Sequence, residues 1–375
     1  MINPKEFYDF LLENEIEFFT GVPDSLLKNF NSVIIDNSPK EKHVISANEG
    51  GSIALASGYY LATKKLALVY MQNSGQGNAI NPLLSLADKE VYGIPMVILF
   101  GWRGEPGKED EPQHVKQGEV SLKILEAMGV PYSILPEEID SAKQILKKAV
   151  DISTSCNMPY VLVVRKNTFE KYISLDKSPN LFQLSREDSL RLIVNNLSER
   201  DLIVSTTGKL SRELFELREE LGQNHGNDFL TVGSMGHSSQ IALGISLSKP
   251  ARNIFCLDGD GSLIMHQGSL GIIGQQKPNN FKHIIFNNGA HDSVGGQPTI
   301  GFEINIPKIA LASGYKFAWS VEKEHEIIEG IKRLREVGGP SLLEIKINKG
   351  SRKDLGRPTR TPFENKKAFM DNLNS

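Results

Sequence analysis

Cysteine is scarce in this 375-residue chain: only Cys156 and Cys256 occur, and neither has a CxxC neighbour. A disulfide framework is therefore excluded, and two reduced thiols buried in apolar runs are expected, as suits the cytoplasm. Excess charge is lacking as well. A formal net charge of −3 gives no basic footprint for nucleic acid or an anionic membrane surface, so a small-molecule partner is expected. No apolar run reaches the ~18 residues that span a bilayer, and Met1-Ile2-Asn3-Pro4-Lys5-Glu6 shows no charged stretch followed by an apolar one, so no signal peptide is expected. The length accommodates two α/β domains but not three full ones.

What is present is an alternation of helical and strand-like segments. An amphipathic helix is expected from Pro4 to Asn14, a strand over Glu17–Thr20 and a second helix from Asp24. Apolar strand runs recur at Leu66–Tyr70, Pro95–Phe100 and Tyr160–Val164. The polar stretch from Arg165 through Leu184, with Lys177-Ser178-Pro179-Asn180 inside it, lacks sustained periodicity and reads as a linker. Alternation restarts with a helix over Arg186–Leu197 and runs on through a strand at Leu342–Ile347. Such a pattern implies mainly parallel sheets flanked by helices, an α/β fold in two domains, although no sequence repeat marks a duplication.

The most informative stretch is residues 258 to 290. The run Asn253–Leu257 ends in Gly259-Asp260-Gly261, and a helix is expected from Ser262 to Gln275. The run His283–Phe286 ends in Asn287-Asn288-Gly289. Asp260 and Asn288 would then meet at the carboxyl ends of neighbouring strands, where open α/β sheets bind ligands. A carboxylate, an amide oxygen, a backbone carbonyl and phosphate oxygens suit a hard cation such as Mg²⁺, and no thiolate or imidazole cluster is expected to favour a softer metal.

Three further segments carry polar chemistry. Ile45-Ser46-Ala47-Asn48-Glu49-Gly50-Gly51 places Glu49 before a small-residue helix running through Tyr60; the residue reads either as a first-turn glutamate complementing the helix dipole or as a desolvated acid–base group. Thr231–His237 contains Gly233 and Met235, the latter a gap filler or an apolar wedge. Thr207-Gly208-Lys209 follows the strand-like Leu202–Ser205, with Lys209 either a phosphate contact or solvated. Polar loops lie at Phe19–Ser25, where Asp24 or Ser25 is an N-cap or a substrate contact, at Gln72–Asn78, at Gly101–Gly107 with Asp110–His114, and at His291–Ser293 with Gly295–Thr299. The proline-containing 101–114 stretch is a place for a mobile lid.

Together, Asp260's GDG followed by the NN pair, with GVPDS, ANEGG, NSGQGN, RGEPG, DEPQH, HDS and GGQPT, cover residues 19 to 299 and resemble the thiamin diphosphate (ThDP)-dependent decarboxylases, in particular their phosphonopyruvate branch. The tail Gly356–Lys366 is similar as well. The resemblance implies two ThDP-binding-fold domains without a middle domain: a pyrimidine-binding domain over 1–170, a linker over 171–184 and a diphosphate-binding domain over 185–375 with a C-terminal tail. It implies that Asp260, the Asn288 side chain and the Ala290 carbonyl hold Mg²⁺, with Asn287 structural. Thr207, Gly208, Lys209, Gly261 and Ser262 would lie around the diphosphate. The Gly233 carbonyl would accept from the cofactor's 4′-amino group, Met235 would sit beneath its bend, and Glu49 would share a proton with N1′ of its aminopyrimidine.

The resemblance also implies cofactor sites shared between subunits, hence at least a homodimer, and a 2-oxo acid substrate. For a phosphonate dianion the charge-assisted donors Arg103 and His114 rank ahead of the tail residues Arg352, Arg357 and Arg360, which are expected to be solvated. Asp24, Ser25, Asn73, Gln76, Ser293 and Gln297 complete the expected substrate set, and His114 or His291 would assist proton return. The implied reaction is decarboxylation of 3-phosphonopyruvate to phosphonoacetaldehyde in phosphonate biosynthesis. Alternatives are a decarboxylase of sulfopyruvate or another 2-oxo acid, a carboligase, and a catalytically silent ThDP-binding subunit.

Overall fold

In a computed structural model, which describes residues 1–175 and 181–374, the chain divides into two compact units, Met1–Ser178 and Pro179–Ser375. Residues 176–180 of the expected linker lie outside the described residues.

The first unit is built on β1 (Phe18–Gly21), β2 (His43–Ile45), β3 (Ala67–Gln72), β4 (Met96–Gly101), β5 (Tyr132–Ile134) and β6 (Pro159–Val164). They form one parallel sheet in the order β2-β1-β3-β4-β6-β5. Alternation along each central strand feeds two cores. Leu68, Tyr70, Val97 and Leu99 pack on one face, and Ala67, Val69, Met71, Met96, Ile98 and Phe100 on the other. Burial on both faces is what makes β3, β4 and β6 read as continuous apolar runs. Each fully buried Leu, Ile or Val there contributes about 1.5–3 kcal/mol.

The second unit contains β7 (Leu202–Ser205), β8 (Asp228–Leu230), β9 (Ile254–Gly259), β10 (Phe281–Asn287), a short antiparallel ribbon of β11 (Ala290–His291) and β12 (Gln297–Pro298), then β13 (Phe317–Val321) and β14 (Ser341–Lys346). Its parallel sheet runs β8-β7-β9-β10-β14-β13. Ranked along the chain, the six sheet strands of each unit stand in one and the same order, 2-1-3-4-6-5. The shared topology that no sequence repeat announced is thus present in the backbone. In both units the connections reverse direction between ranks 1 and 3, a switch point at whose carboxyl side ligands bind.

Several local expectations change. The helix expected over Ser262–Gln275 is two, Asp260–Met265 and Ser269–Gln276, broken around His266-Gln267-Gly268. The helix expected from Asp24 begins at Lys28 behind Leu27, so neither Asp24 nor Ser25 is its N-cap; Asp24 instead turns inward and accepts from Leu26 N at 2.9 Å. Cys156 is exposed, because it ends the helix Ile139–Cys156 on its solvent side, whereas Cys256 is buried; both thiols are free. Of the tail arginines, Arg352 is half-buried and ion-paired with Glu187, Glu216 and Asp354, while Arg357 and Arg360 are exposed. Among the described residues no helix is long and apolar enough to cross a membrane.

Candidate active site

In the first unit the helix Glu49–Thr63 forms because Asn48 caps it, its side chain accepting from Gly51 N at 2.9 Å, and because Gly, Ala and Ser let it lie close against its neighbours. Glu49 therefore begins a helix yet is only 5% exposed. Its Oε2 accepts from Asn78 Nδ2 at 2.7 Å. Gly75 faces it so closely that a Cβ there would stand 2.2 Å from Oε1. A solvated first-turn glutamate does not match this setting; a caged carboxylate does.

Asp24, Ser25, Asn73, Gln76, Arg103 and His114 are linked around the loops after β1, β3 and β4. Fully buried Asp24 accepts from Gln72 Nε2 at 2.6 Å and lies beneath Gly101, where a Cβ would meet its Oδ2 at 2.1 Å; burial raises its pKa. Asn73 pairs with the Arg103 backbone in both directions, at 2.7 and 3.0 Å, and reaches Ser121 Oγ at 3.0 Å. Gln76 Nε2 donates to the Ser121 carbonyl at 3.3 Å. The Arg103 guanidinium donates to both oxygens of Asp110, from Nε at 2.8 Å and from Nη2, and from Nη1 to Ser25 Oγ at 2.8 Å. Burial alone would raise the Asp110 pKa, but these bonds hold its carboxyl well below the ordinary range.

The 101–114 stretch expected as a mobile lid is tied down here. Asp110 also accepts from Gly104 N at 2.8 Å, and Gly104 and Gly118 approach so closely that a Cβ on Gly118 would lie 1.7 Å from the Gly104 carbonyl oxygen. His114, 8% exposed, has its pKa lowered to about 4 by burial, with the Arg103 charge adding to the shift, so at neutral pH it is an uncharged imidazole.

In the second unit the candidate metal residues converge. Asp260, 2% exposed, accepts from the Thr299 hydroxyl and from backbone N–H groups that include those of Gly261 and Asn288. Burial outweighs these bonds and pushes its pKa up to about 7. Asn288 Oδ1 accepts from Ala290 N at 3.0 Å. Asn287 is wholly buried, donating to the Gly301 carbonyl and to Glu344 Oε1, both at 2.7 Å, and so acts as the scaffold of the turn.

Around this turn, Ser262 Oγ bonds Thr206 Oγ1 at 3.0 Å and Gly236 N at 3.1 Å, and Thr207 Oγ1 accepts from Gly233 N at 2.8 Å. The helix Lys209–Glu220 starts behind Gly208, whose φ of 98° suits glycine and which has no side chain to cap it; Ser293 Oγ accepts from Lys209 N at 3.3 Å. A Cβ on Gly261 would fall 3.0 Å from the His291 ring and 3.4 Å from Met235 Cε, which places all three residues together. Burial lowers the pKa of His291 to about 4 and also lowers that of Lys209, whose ammonium stands 3.9 Å from Asp292 Oδ1. Gln297 is 3% exposed, and neither polar atom of its amide has a hydrogen-bond partner.

The donor set fits Mg²⁺ and a diphosphate: hard oxygens with a buried carboxylate at their centre, beside a helix start at Lys209 whose N-cap, Gly208, brings no side chain of its own. Against the expectation that no thiolate or imidazole cluster favours a softer metal stands one grouping of side chains, in which burial raises the Cys256 thiol pKa well above its ordinary value and so opposes a thiolate. The β9–β10 register sets His283 opposite Cys256, and with Asp258 the three buried donors lie within 4.8 Å of one another. His283 Nε2 is 3.7 Å from Asp258 Oδ2, and Nδ1 bonds Tyr315 Oη at 3.1 Å.

Sequence reasoning missed Asn78 and Gly75 as Glu49's neighbours, Asp110 as Arg103's partner, and Thr299 on Asp260. Asn78, Gly75 and Thr299 sit inside loops already singled out, and that was their only signal.

The chain is similar in sequence to known proteins over both units. Residues 5–125 match the family model for the N-terminal TPP binding domain of thiamine pyrophosphate enzymes, and residues 207–345 match the model for the C-terminal TPP binding domain. The chain is 31% identical to a phosphonopyruvate decarboxylase of Streptomyces viridochromogenes, over 93% of this chain and 89% of that one. A phosphonopyruvate decarboxylase of Streptomyces hygroscopicus is likewise 31% identical, over 94% and 89%. A sulfopyruvate decarboxylase of Methanosarcina acetivorans is 26% identical over 100% of this chain and 98% of the relative.

Proposed function

We propose that this chain, which belongs to the thiamin diphosphate-dependent decarboxylases, converts 3-phosphonopyruvate to phosphonoacetaldehyde and CO2 with ThDP and Mg²⁺. The observation that carries the substrate is the 31% identity to two phosphonopyruvate decarboxylases, which extends over 93% or more of the chain and therefore takes in the loops of both units. Bound ThDP supplies the electron sink for the pair left behind when CO2 departs.

The residues then have these roles. Asp260, the Asn288 carboxamide and the Ala290 carbonyl hold Mg²⁺; Thr207, Gly208, Lys209, Gly261 and Ser262 hold the diphosphate; the Gly233 carbonyl and Met235 fix the ring system. Glu49 keeps a proton available at its carboxylate, oriented by Asn78 and shielded from water. Asp24, Ser25, Asn73, Gln76, Arg103 and His114 are the proposed substrate contacts of the first unit, and Ser293 and Gln297 those of the second. The unpartnered Gln297 amide supports such a role, since a buried polar group without a partner costs about 1–3 kcal/mol unless a ligand meets it. His114 and His291, uncharged at neutral pH, serve as N–H donors or proton acceptors rather than as imidazolium acids. The first unit serves as the pyrimidine-binding domain and the second as the diphosphate-binding domain, in a cytoplasmic homo-oligomer of at least two chains.

The test is aldehyde and CO2 release from phosphonopyruvate, sulfopyruvate and pyruvate, with and without ThDP and Mg²⁺. A cofactor-dependent preference for phosphonopyruvate is expected. A preference for sulfopyruvate would move the assignment to the activity for which the 26%-identical full-length relative is named.

A further inference from the structure

Four groups gather on a carboxylate to which none of the roles above has been given. The Asp292 side chain, 10% exposed, lies one residue beyond His291. Its Oδ2 accepts from Arg186 Nη1 at 3.0 Å and from Asn288 Nδ2 at 3.3 Å. Gly350 N stands 3.1 Å from each of its oxygens. The Lys209 ammonium is 3.9 Å from Oδ1. Arg186 is itself immobilised, since Nε and Nη2 donate to Glu213, each at 2.7 Å, and the residue is 6% exposed.

The chemistry of Asn288 gives this arrangement its meaning. A carboxamide has a donor side and an acceptor side of nearly equal shape, and only its partners decide which way it faces. An ionised carboxylate is acceptor-only, so the side turned to Asp292 must be the NH2. The oxygen is thereby turned to the Ala290 N–H, at 3.0 Å, within the turn that also holds Asp260. We infer that Asp292 is a positioning residue that fixes the Asn288 carboxamide with its oxygen available to the cation, and that through Lys209 it joins the metal turn to the helix start that receives the diphosphate. The inference rests on the cation-binding reading of Asn288. Partners that orient metal ligands typically control affinity by 10–100-fold.

Asp292→Asn tests it. The new carboxamide keeps the shape but presents an NH2 of its own among donors from Arg186, Gly350 and Asn288, so the Asn288 carboxamide loses its fixed orientation. Calorimetric titration of Mg²⁺ into the full-length protein with excess ThDP is expected to give a Kd weakened by ~10-fold or more. Glu213→Gln serves as the comparison, because it disturbs the same Arg186 network without touching Asn288, and its Mg²⁺ affinity is expected to stay at the wild-type value. Unchanged affinity in Asp292→Asn, or equal losses in Asp292→Asn and Glu213→Gln, would overturn the positioning role. Asn288→Ala separates the two levels: weakened binding there with none in Asp292→Asn removes the inference alone, whereas unchanged binding in Asn288→Ala removes the cation reading and the inference with it. Should Asp292→Asn fail to fold, Asp292→Ser, too short to reach Asn288, is titrated in its place with the same expectation.

Discussion

Gly75→Ala isolates the position of one carboxylate. Gly75 has φ −75° and ψ −10°, a conformation alanine adopts without strain, so the backbone offers no objection. The added Cβ would lie 2.2 Å from Glu49 Oε1, against about 3.4 Å for ordinary van der Waals contact, so the carboxylate must retreat by roughly 1.2 Å. A misplacement of ~1 Å at a reacting group costs on the order of 100-fold in rate, about 2.7 kcal/mol. Overpacking adds about 1–3 kcal/mol of destabilisation, which a thermal melt reads separately. The comparator is Glu49→Gln, nearly identical in volume and still able to accept from Asn78, which leaves the packing intact and removes only the proton-holding group; its kcat should fall by ~10²–10⁴. Steady-state aldehyde release at saturating ThDP and Mg²⁺ measures both. The expected order is wild type, then Gly75→Ala, then Glu49→Gln. If Gly75→Ala turns over phosphonopyruvate at the wild-type rate, the caged position of Glu49 has no bearing on the chemistry.

The remaining predictions concern charge. Because burial raises the Asp260 pKa to about 7, Mg²⁺ must displace a proton below that pH; its apparent affinity should fall about tenfold per unit from pH 7 to 5.5 and level off above, and pH-independent binding over that range would refute the assignment. The same raised pKa means that metal-free protein loses stability as pH rises through about 7, that added Mg²⁺ restores it, and that Asp260→Asn flattens the profile in thermal melts. His114 and His291 have pKa values lowered from 6.5 to about 4, so the stability they contribute is present above pH ~6.5 and lost as pH falls toward 4; His291→Gln should melt with a shallower acid limb than wild type. Arg103→Lys cannot reproduce the bidentate contact with Asp110 and should lower stability by roughly 1–3 kcal/mol; a KM increase larger for phosphonopyruvate than for pyruvate would mark substrate contact, and equal increases a structural role only.

What the sequence displayed and what it concealed follow from burial and from distance along the chain. Strands β3, β4, β6, β9 and β10 each contain an apolar run because both faces are covered, and each run was visible. The edge strands β5 and β13 are only partly buried, so Tyr132-Ser133-Ile134 and Phe317–Val321 carry no comparable pattern. Asp260 and Asn288 were legible because two strand ends and a turn specify them locally. The partners that set their behaviour were not, since Arg186 meets Asp292 across 106 residues and Thr299 meets Asp260 across 39. The Cys256, Asp258 and His283 cluster depends on strand register alone, and pairing between two runs cannot be counted from either one.

The repeated strand order accounts for the placement of nearly every candidate residue. In the first unit the connections leaving ranks 1 to 4 carry Asp24 and Ser25, then Glu49, then Asn73 and Gln76, then Arg103. In the second, the corresponding connections carry Thr207 to Lys209, then Gly233 and Met235, then Asp260, then Asn288 and Ala290. Both sets occupy the carboxyl side of a parallel sheet around its reversal point, where strand ends diverge and backbone groups are left for a ligand. The topology therefore specifies where residues act but not what they do. The proposed acid–base residue Glu49 and most of the proposed substrate groups fall in one set of four loops, the proposed metal and diphosphate groups in the other. That division explains why the units share a strand order while their loops share no motif, since packing constrains the strands alike and chemistry constrains the loops differently.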